Sequence, residues 1–411
     1  MKRKNTNSMS LIVKKFGGTS VGSIERIQNV ARLALKAQKK GDKVVVVVSA
    51  MAGETNRLVG LAKKVNPIPD SRDYDLLLAS GEQAAVGLVS LALNTLKPFS
   101  GRGFLGYQVG IYTDSVYSKA RIYKINTQVL KKEIAKGVIP VIAGFQGMDL
   151  ENNITTLGRG GSDTSAVAIA IALGAQVCEI YTDVDGVFTS DPRVCPEARK
   201  ISHISYEEMM ELAGLGAKVL QIRSVELAAK FNMPIHVRSS FHTGEGTMVV
   251  SKKLLGGLEK VVVSGIASDS AQVKFSLQNV PDRPGMAAGI FGALAKAAID
   301  VDIIVQDIPT AGKLSLSFTV SGTDQLKAAR VLKKIGGAVR IVQEKDLAKV
   351  SIVGVGMQHH PGVAAKMFEL LARAQINIKL ITTSEIKISC LIDGALEKKA
   401  VRVLHRGFGL G

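Results

Sequence analysis

The feature that most constrains this chain is an internal repeat in its last third. Sliding the sequence by 77 residues places Val273, Pro284, Gly285, Ala287, Ala288, Phe291, Leu294, Ala295, Ala297 and Ile299 on identical residues, from Val350 to Ile376, without a gap. A match of this length marks a duplicated supersecondary unit. Each copy reads strand, Pro-Gly loop, helix, strand, strand, helix, and the first is closed by a further strand at 338–343. The second meets Gly411 with no closing strand, whereas an unassigned strand, 261–266, precedes the first copy. An open sheet edge invites stray pairing, so the orphan strand is expected to complete the second copy and make the two one intertwined module; a linker strand on the outside is the alternative.

Ahead of the repeat the pattern changes. Candidate strands at 11–15, 44–48, 108–113, 138–143, 178–182 and 234–239 alternate with candidate helices at 24–39, 81–96, 126–136, 164–173, 206–212 and 220–231. The run 44–48 is apolar without alternation, as in a strand covered on both faces. The expected fold is therefore α/β: a three-layer, mostly parallel sheet followed by two ferredoxin-like βαββαβ units. The expected division is a basic tail 1–10, a first domain 11–245, a linker 246–260, repeat 1 at 261–345 and repeat 2 at 346–411.

Lysine and arginine outnumber the acids 53 to 35, a formal charge of +18. Half of that excess lies in residues 1–50, in the tail MKRKNTNSMS and on Arg26, Arg32, Lys36, Lys39 and Lys40 of one helix. It reads as a solvated helix face plus a tail. With aromatics at 5% there is little to stack bases on, so no nucleic acid partner is expected. An RNA-binding stripe, the alternative, would show steeply salt-dependent binding. Runs such as 44–48 fall far short of the roughly 20 apolar residues of a membrane span, and the tail is followed by too short an apolar run for an export signal. Cys178, Cys195 and Cys390 form no CxxC, so the expectation is no membrane, no disulfide framework and a cytoplasmic location.

Three segments concentrate glycine, hydroxyl and charged residues at strand ends. Lys15-Phe16-Gly17-Gly18-Thr19-Ser20 joins a strand to a helix, a turn that lets backbone N–H groups approach an anion beside a full positive charge. Taken alone it is also a plain tight turn. The stretch 155–165, TTLGRGGSDTS, packs three glycines, Arg159 and Asp163 ahead of a helix and suits a carboxylate and a phosphate. The third, YTDVDGVF at 181–188 with Asp191-Pro192-Arg193, could hold a nucleotide or simply turn the chain. No nucleophile–base pair of a hydrolase stands out.

Taken with SAMAGETN at 49–56, SGEQ at 80–83 and GAKVLQIRSVELA at 216–228, these segments resemble the aspartokinases of the amino-acid kinase family. The paired repeat resembles the tandem ACT domains that follow their kinase domain. The resemblance implies ATP-dependent phosphorylation of the L-aspartate side chain to 4-phospho-L-aspartate, the entry to lysine, threonine and methionine biosynthesis. An acceptor already ionised needs no general base; what must be overcome is anion repulsion, so the site needs cations and N–H donors.

By the same resemblance Lys15 and Lys218 would stabilise phosphate charge with Asp163 positioning them, and Gly17, Gly18 and Ser20 would line the phosphate pocket. Arg159, Glu82, Ser49 and Thr55 would form the aspartate site, and Thr182, Asp183, Phe188 and Arg193 would contact nucleotide, with Phe188 standing where many relatives have Tyr. Mg²⁺ would arrive with ATP, since no carboxylate cage is evident. The adjacent His359 and His360 would not converge on one ion.

In such enzymes the ACT pair would sense lysine, threonine or both. Asp282 would meet the effector's ammonium and Gln306 would read it, with Asn377 and Ile378 of a second subunit facing the site. A helix N-cap is the plainer role for Asp282. Lys313-Leu314-Ser315 departs from the Thr-Thr-Asp of many relatives, which bears on the effector's identity. A homo-oligomer through the ACT domains is expected, with room for a separately translated regulatory chain. A catalytically silent sensor, or a sister kinase acting on glutamate, acetylglutamate or UMP, is the alternative.

Overall fold

A computed structural model describes residues 10–215, 219–255, 262–334 and 339–411. Lys218, most of the basic tail, the end of the expected linker and the side chain of His359 lie outside the described residues. The chain forms two compact units, and the segment Phe188–Arg199 belongs to the second.

The first unit runs β1 (Leu11–Phe16), α1 (Ile24–Lys39), β2 (Lys43–Val48), α2 (Glu54–Val65), α3 (Ser71–Leu96), β3 (Gly101–Phe104), β4 (Ile111–Thr113), β5 (Ile122–Ile125), α4 (Gln128–Ala135), β6 (Ile139–Ala143), β7 (Gln146–Met148), β8 (Ile154–Thr156), α5 (Gly161–Leu173) and β9 (Val177–Thr182). It continues through β10 (His203–Ser205), α6 (Tyr206–Gly214), α7 (Ile222–Phe231), β11 (Ile235–Ser239) and β12 (Thr247–Val250). Eight strands form the main sheet in the order β10-β12-β11-β9-β1-β2-β6-β3, all neighbours parallel except β11 with β12.

The five valines of β2 are buried on both faces. On one side they meet Ile27, Val30 and Ala34 of α1 and Ala85, Val89 and Leu93 of α3. On the other lies α5, whose run Ala166–Leu173 after a polar first turn is apolar all round and able to sit in the interior. Helix α1 shows why part of the N-terminal charge is structural. Ser23 caps its first turn by accepting from the Arg26 N–H, Glu25 follows, and Lys36 and Lys39 lie in its last turn, each favourable to the helix dipole.

Three expectations need correction. Helix α3 begins ten residues before 81, because Asp70 caps it through the Arg72 and Asp73 N–H groups. It is long and apolar enough to cross a membrane by length and composition, yet one face packs on the unit with Asp75 and Glu82 buried. The expected strand 108–113 is only Ile111–Thr113. Gly110 adopts a left-handed turn (φ 62°), where a Cβ would sit 2.8 Å from Asn126 Cβ, and the chain leaves the main sheet for a small one of order β5-β4-β7-β8. Helix α2 carries no clear sequence signal and was not expected.

The second unit comprises β13 (Gly265–Pro281), α8 (Met286–Lys296), β14 (Val301–Gln306), β15 (Lys313–Ser321), α9 (Gln325–Leu332), β16 (Arg340–Val353), α10 (Val363–Arg373), β17 (Leu380–Thr383), β18 (Lys387–Asp393) and α11 (Glu397–Gly407), in one sheet of order β14-β15-β13-β16-β18-β17. The strand expected at 261–266 is not separate: of its described residues only Gly265 and Ile266 are in strand, and they open the long β13. Residues Gly265–Asp269 pair with Lys349–Val353 in the second repeat, and Gln272–Pro281 pair with β15 in the first. β16 is shared in the same way, so the repeats are intertwined.

At the crossover both long strands kink, at Ala271 (φ 60°) and Asp346 (φ 55°). Their carbonyls press on Gly322 and Gly394, where a Cβ would lie 2.8 and 2.5 Å away, so each repeat needs glycine at the turn into its second helix. Segment Phe188–Arg199 packs within this unit. Cys195 enters the core with Met357, Val401 and Leu404, the Thr189 hydroxyl lies 2.9 Å from His405 Nε2, and Arg199 Nε donates to the Leu410 carbonyl.

Candidate active site

The catalytic candidates of the first unit gather at the C-terminal ends of β1, β2 and β9. Consecutive lysines of β1 go to opposite faces, as strand alternation requires. Lys14 pairs with the buried Glu179, while Lys15 reaches Asp163 at the start of α5, Nζ to Oδ1 2.6 Å, with both side chains only about a tenth exposed. A cation held this close to dehydration interacts strongly with any anion that enters. α5 begins at Gly161, earlier than the expected 164, which puts Asp163 in its first turn and Gly161, Ser162 and Thr164 at a buried helix N-terminus.

Backbone crowding explains the second of the paired glycines. A Cβ on Gly18 would lie 2.8 Å from the Ala50 carbonyl, and Gly18 accepts from the Ala52 N–H, so the 17–18 turn is laced to the end of β2 where Ser49 sits. A Cβ on Gly17 would stand 3.6 Å from Lys15 Nζ. Ser20 is buried and donates to Ser240, which in turn donates to the Thr182 carbonyl. Its hydroxyl therefore links the turn to the end of β9 through Ser240.

Glu82 is 3% exposed, with one oxygen accepting from the Ala50 N–H at 3.0 Å. Its other oxygen is buried without a partner among the described residues. Burial pushes its carboxyl up to about 7, opposed by that backbone hydrogen bond. Thr55 lies in the first turn of α2 after the left-handed Gly53 (φ 84°). Arg159 is exposed and unpaired among the described residues, between Gly158 (φ 81°) and Gly160 (φ 73°). Thr182 ends β9 and donates to the Asp183 carboxylate.

Phe188 and Arg193 belong to the segment grouped with the second unit, where Arg193 is paired with Asp191. The structure thus brings together Lys15, Asp163, Gly17, Gly18 and Ser49, with Glu82 bound to the same β2 end. Phe188 and Arg193 are grouped with the second unit. Sequence reasoning missed Asp75, Ser240 and Arg223, none of which lies within a glycine-rich segment.

In the second unit Asp282, Gln306, Pro284, Gly285, Leu314 and Leu316 line a cavity of about 320 Å³. Asp282 does not cap α8: the cap position is Gly285, with no side-chain hydrogen bond, and the Asp282 carboxylate has no partner among the described residues. Asn377 and Ile378 lie between α10 and β17; Asn377 is exposed and Ile378 packs on the second repeat's core.

Comparison with known proteins fits this geometry. Residues 10–239 match the amino acid kinase family, and residues 276–338 and 350–408 each match the ACT domain. An aspartokinase of Pseudomonas aeruginosa is 48% identical over 98% of both chains. The chain belongs to the aspartokinase family. Among solved structures, this family member is similar to E. coli aspartokinase III in complex with aspartate and ADP (TM-score 0.80, 26% identity, 97% of this chain and 99% of that one). It is also similar to the same E. coli protein with lysine and aspartate (TM-score 0.78, 26% identity, 97% and 99%).

Proposed function

We propose that the chain transfers the γ-phosphoryl group of ATP to the side-chain carboxylate of L-aspartate, giving 4-phospho-L-aspartate, under control of an amino acid bound to the ACT repeats. The observation that carries the reading is the nearly buried Lys15–Asp163 pair at the N-terminus of α5, beside glycine turns too crowded for side chains. Such a site offers a cation and N–H groups to a phosphoryl group that must pass between two anions, the leaving ADP and the accepting carboxylate. Lys15 would lie against the transferring phosphoryl, oriented by Asp163, with Gly17 and Gly18 supplying close backbone approach. Arg159 would hold the α-carboxylate of aspartate. The unpartnered oxygen of Glu82 would accept from its ammonium, with Ser49 and Thr55 completing that half. Thr182 and Asp183 would meet the nucleotide, and Lys218, Phe188 and Arg193 keep the roles their motifs imply.

Mg²⁺ would enter on the nucleotide. Among the described residues no group of three or more His, Cys, Asp or Glu side chains converges on a common point, so the phosphates would carry most of its coordination. The ion would neutralise phosphate charge. The Asp282 cavity, with an unpaired carboxylate beside Gln306, suits the ammonium of lysine or threonine. Edge strands β14 and β17 leave backbone groups unpaired at both ends of the ACT sheet, which supports a homo-oligomer through these repeats, with Asn377 and Ile378 of a neighbour completing the effector site.

The test is ADP release from Mg·ATP with L-aspartate, run beside glutamate, acetylglutamate and UMP, with and without millimolar lysine or threonine. Aspartate-dependent turnover that falls with an effector is the expected result. Turnover with another acceptor only would overturn the substrate, and effector binding without any turnover would make the chain a silent sensor.

A further inference from the structure

Asp75 is fully buried on α3, seven residues before Glu82 and so on nearly the same face of the helix. Its two oxygens accept four hydrogen bonds from two separate segments. Oδ2 takes the backbone N–H groups of Ser118 (2.8 Å) and Thr156 (2.6 Å), and Oδ1 takes the hydroxyls of the same residues (2.9 and 2.8 Å). Ser118 holds a left-handed backbone (φ 64°), a conformation a serine keeps only where its surroundings impose it. Its carbonyl lies where a Cβ on Gly158 would be 2.8 Å away, so the Ser118 turn forms the floor under Gly158, the residue before Arg159. From the far side Arg223 of α7 donates to the Leu157 carbonyl (2.6 Å) and the Ala120 carbonyl (2.9 Å), and the Ala120 N–H donates to Thr156.

We propose that Asp75 is a positioning residue for the acceptor half of the site, fixing the loop that presents Arg159. This rests on the reading of Arg159 as the aspartate-binding cation. The loop has glycines on both sides of Arg159, and an exposed arginine on an unanchored glycine loop would sample many directions. The Asp75 clamp removes that freedom before substrate arrives. Because one helix carries both Asp75 and Glu82, it sets the spacing between the group proposed for the substrate's ammonium and the group proposed for its carboxylate.

The experiment uses the full chain with Asp75→Ala and Asp75→Asn, reading kcat, KM for aspartate and for ATP, thermal melting, and hydrogen exchange of the peptides holding Ser118 and Thr156. Displacing a substrate-holding residue by about 1 Å can cost on the order of a hundredfold. D75A should therefore raise the aspartate KM at least tenfold while the ATP KM stays within about twofold, and both peptides should exchange faster. D75N should recover most of the aspartate KM, since an amide can accept from the two N–H groups and donate to the hydroxyl oxygens. A folded D75A with the wild-type aspartate KM would overturn the proposal, as would equal rises in both KM values that D75N does not reverse. If D75A does not fold, Thr156→Val, which removes only one hydroxyl, must still raise the aspartate KM and not that of ATP. Wild-type turnover with aspartate tests the functional reading separately, and the exchange measurement reports the clamp with no turnover at all.

Discussion

Lys15 and Glu82 sit at one sheet edge and are both deprived of water, with opposite consequences. The lysine has a counter-ion in Asp163 at 2.6 Å. Lys15→Ala should lower kcat by about two to three orders of magnitude, the range for removing one charge-stabilising donor, with the thermal transition retained; near-normal kcat would refute its role. Glu82 has no cation beside it among the described residues, and burial pushes its carboxyl up to about 7 from 4.5. The folded protein therefore prefers that group protonated: its contribution is fully present below about 4.5 and is lost as pH rises through about 7, a cost of about 3 kcal/mol at the alkaline end. Glu82→Gln should accordingly stabilise the chain more at pH ~8 than at pH ~5 in paired melts. In the wild type aspartate should bind more tightly as pH rises from about 6 to about 8, because the carboxyl must lose its proton to meet an ammonium group, and the glutamine variant should be weak and flat over that range. The lysine was legible in the sequence from its place before two glycines. The state of Glu82 was not, since it depends on burial against Ala50.

At the scale of elements, the glycine-rich segments were legible because backbone crowding leaves a compositional trace. Gly18→Ala would push a methyl to 2.8 Å from the Ala50 carbonyl; a loss of about 1–3 kcal/mol, typical of overpacking, is expected in denaturant melts. Gly394→Ala meets the Asp346 carbonyl at 2.5 Å and should cost the second unit a similar amount. Unchanged midpoints would mean that the neighbouring backbone gives way. Other elements were misread where the deciding partner is distant in sequence. The start of α3 depends on a single cap at Asp70, and β4 is cut short by the packing of Gly110 against Asn126. The Asp75 clamp joins residues 75, 118 and 156, which no local pattern connects.

For the molecule as a whole, the repeat made the ACT pair legible, and the missing closing strand pointed to the intertwining. The placement of Phe188–Arg199 was not legible, because the motif runs on without a break while its contacts change, with Cys195 and Thr189 committed to the second unit's interior. Asp282→Ala should weaken effector affinity about tenfold or more by calorimetry, the loss of one charge-assisted contact; unchanged affinity would remove the Asp282 cavity as the sensing site. The shared strands give a further expectation. A fragment of residues 272–345 holds all four strands of the first repeat and should melt cooperatively, whereas 346–411 lacks the strand that Gly265–Asp269 provides and should lack a sharp transition until a peptide with that sequence is added.

Sharing those strands also limits how such a protein can be rearranged over evolutionary time. Because Gly265–Asp269 is read before the first repeat but finishes the second, a recombination breakpoint between the two copies would deliver a broken second domain. Shuffling can move the regulatory end only as one cassette, with its junction upstream of Gly265. The two copies can diverge in what they bind, but their inheritance stays joined.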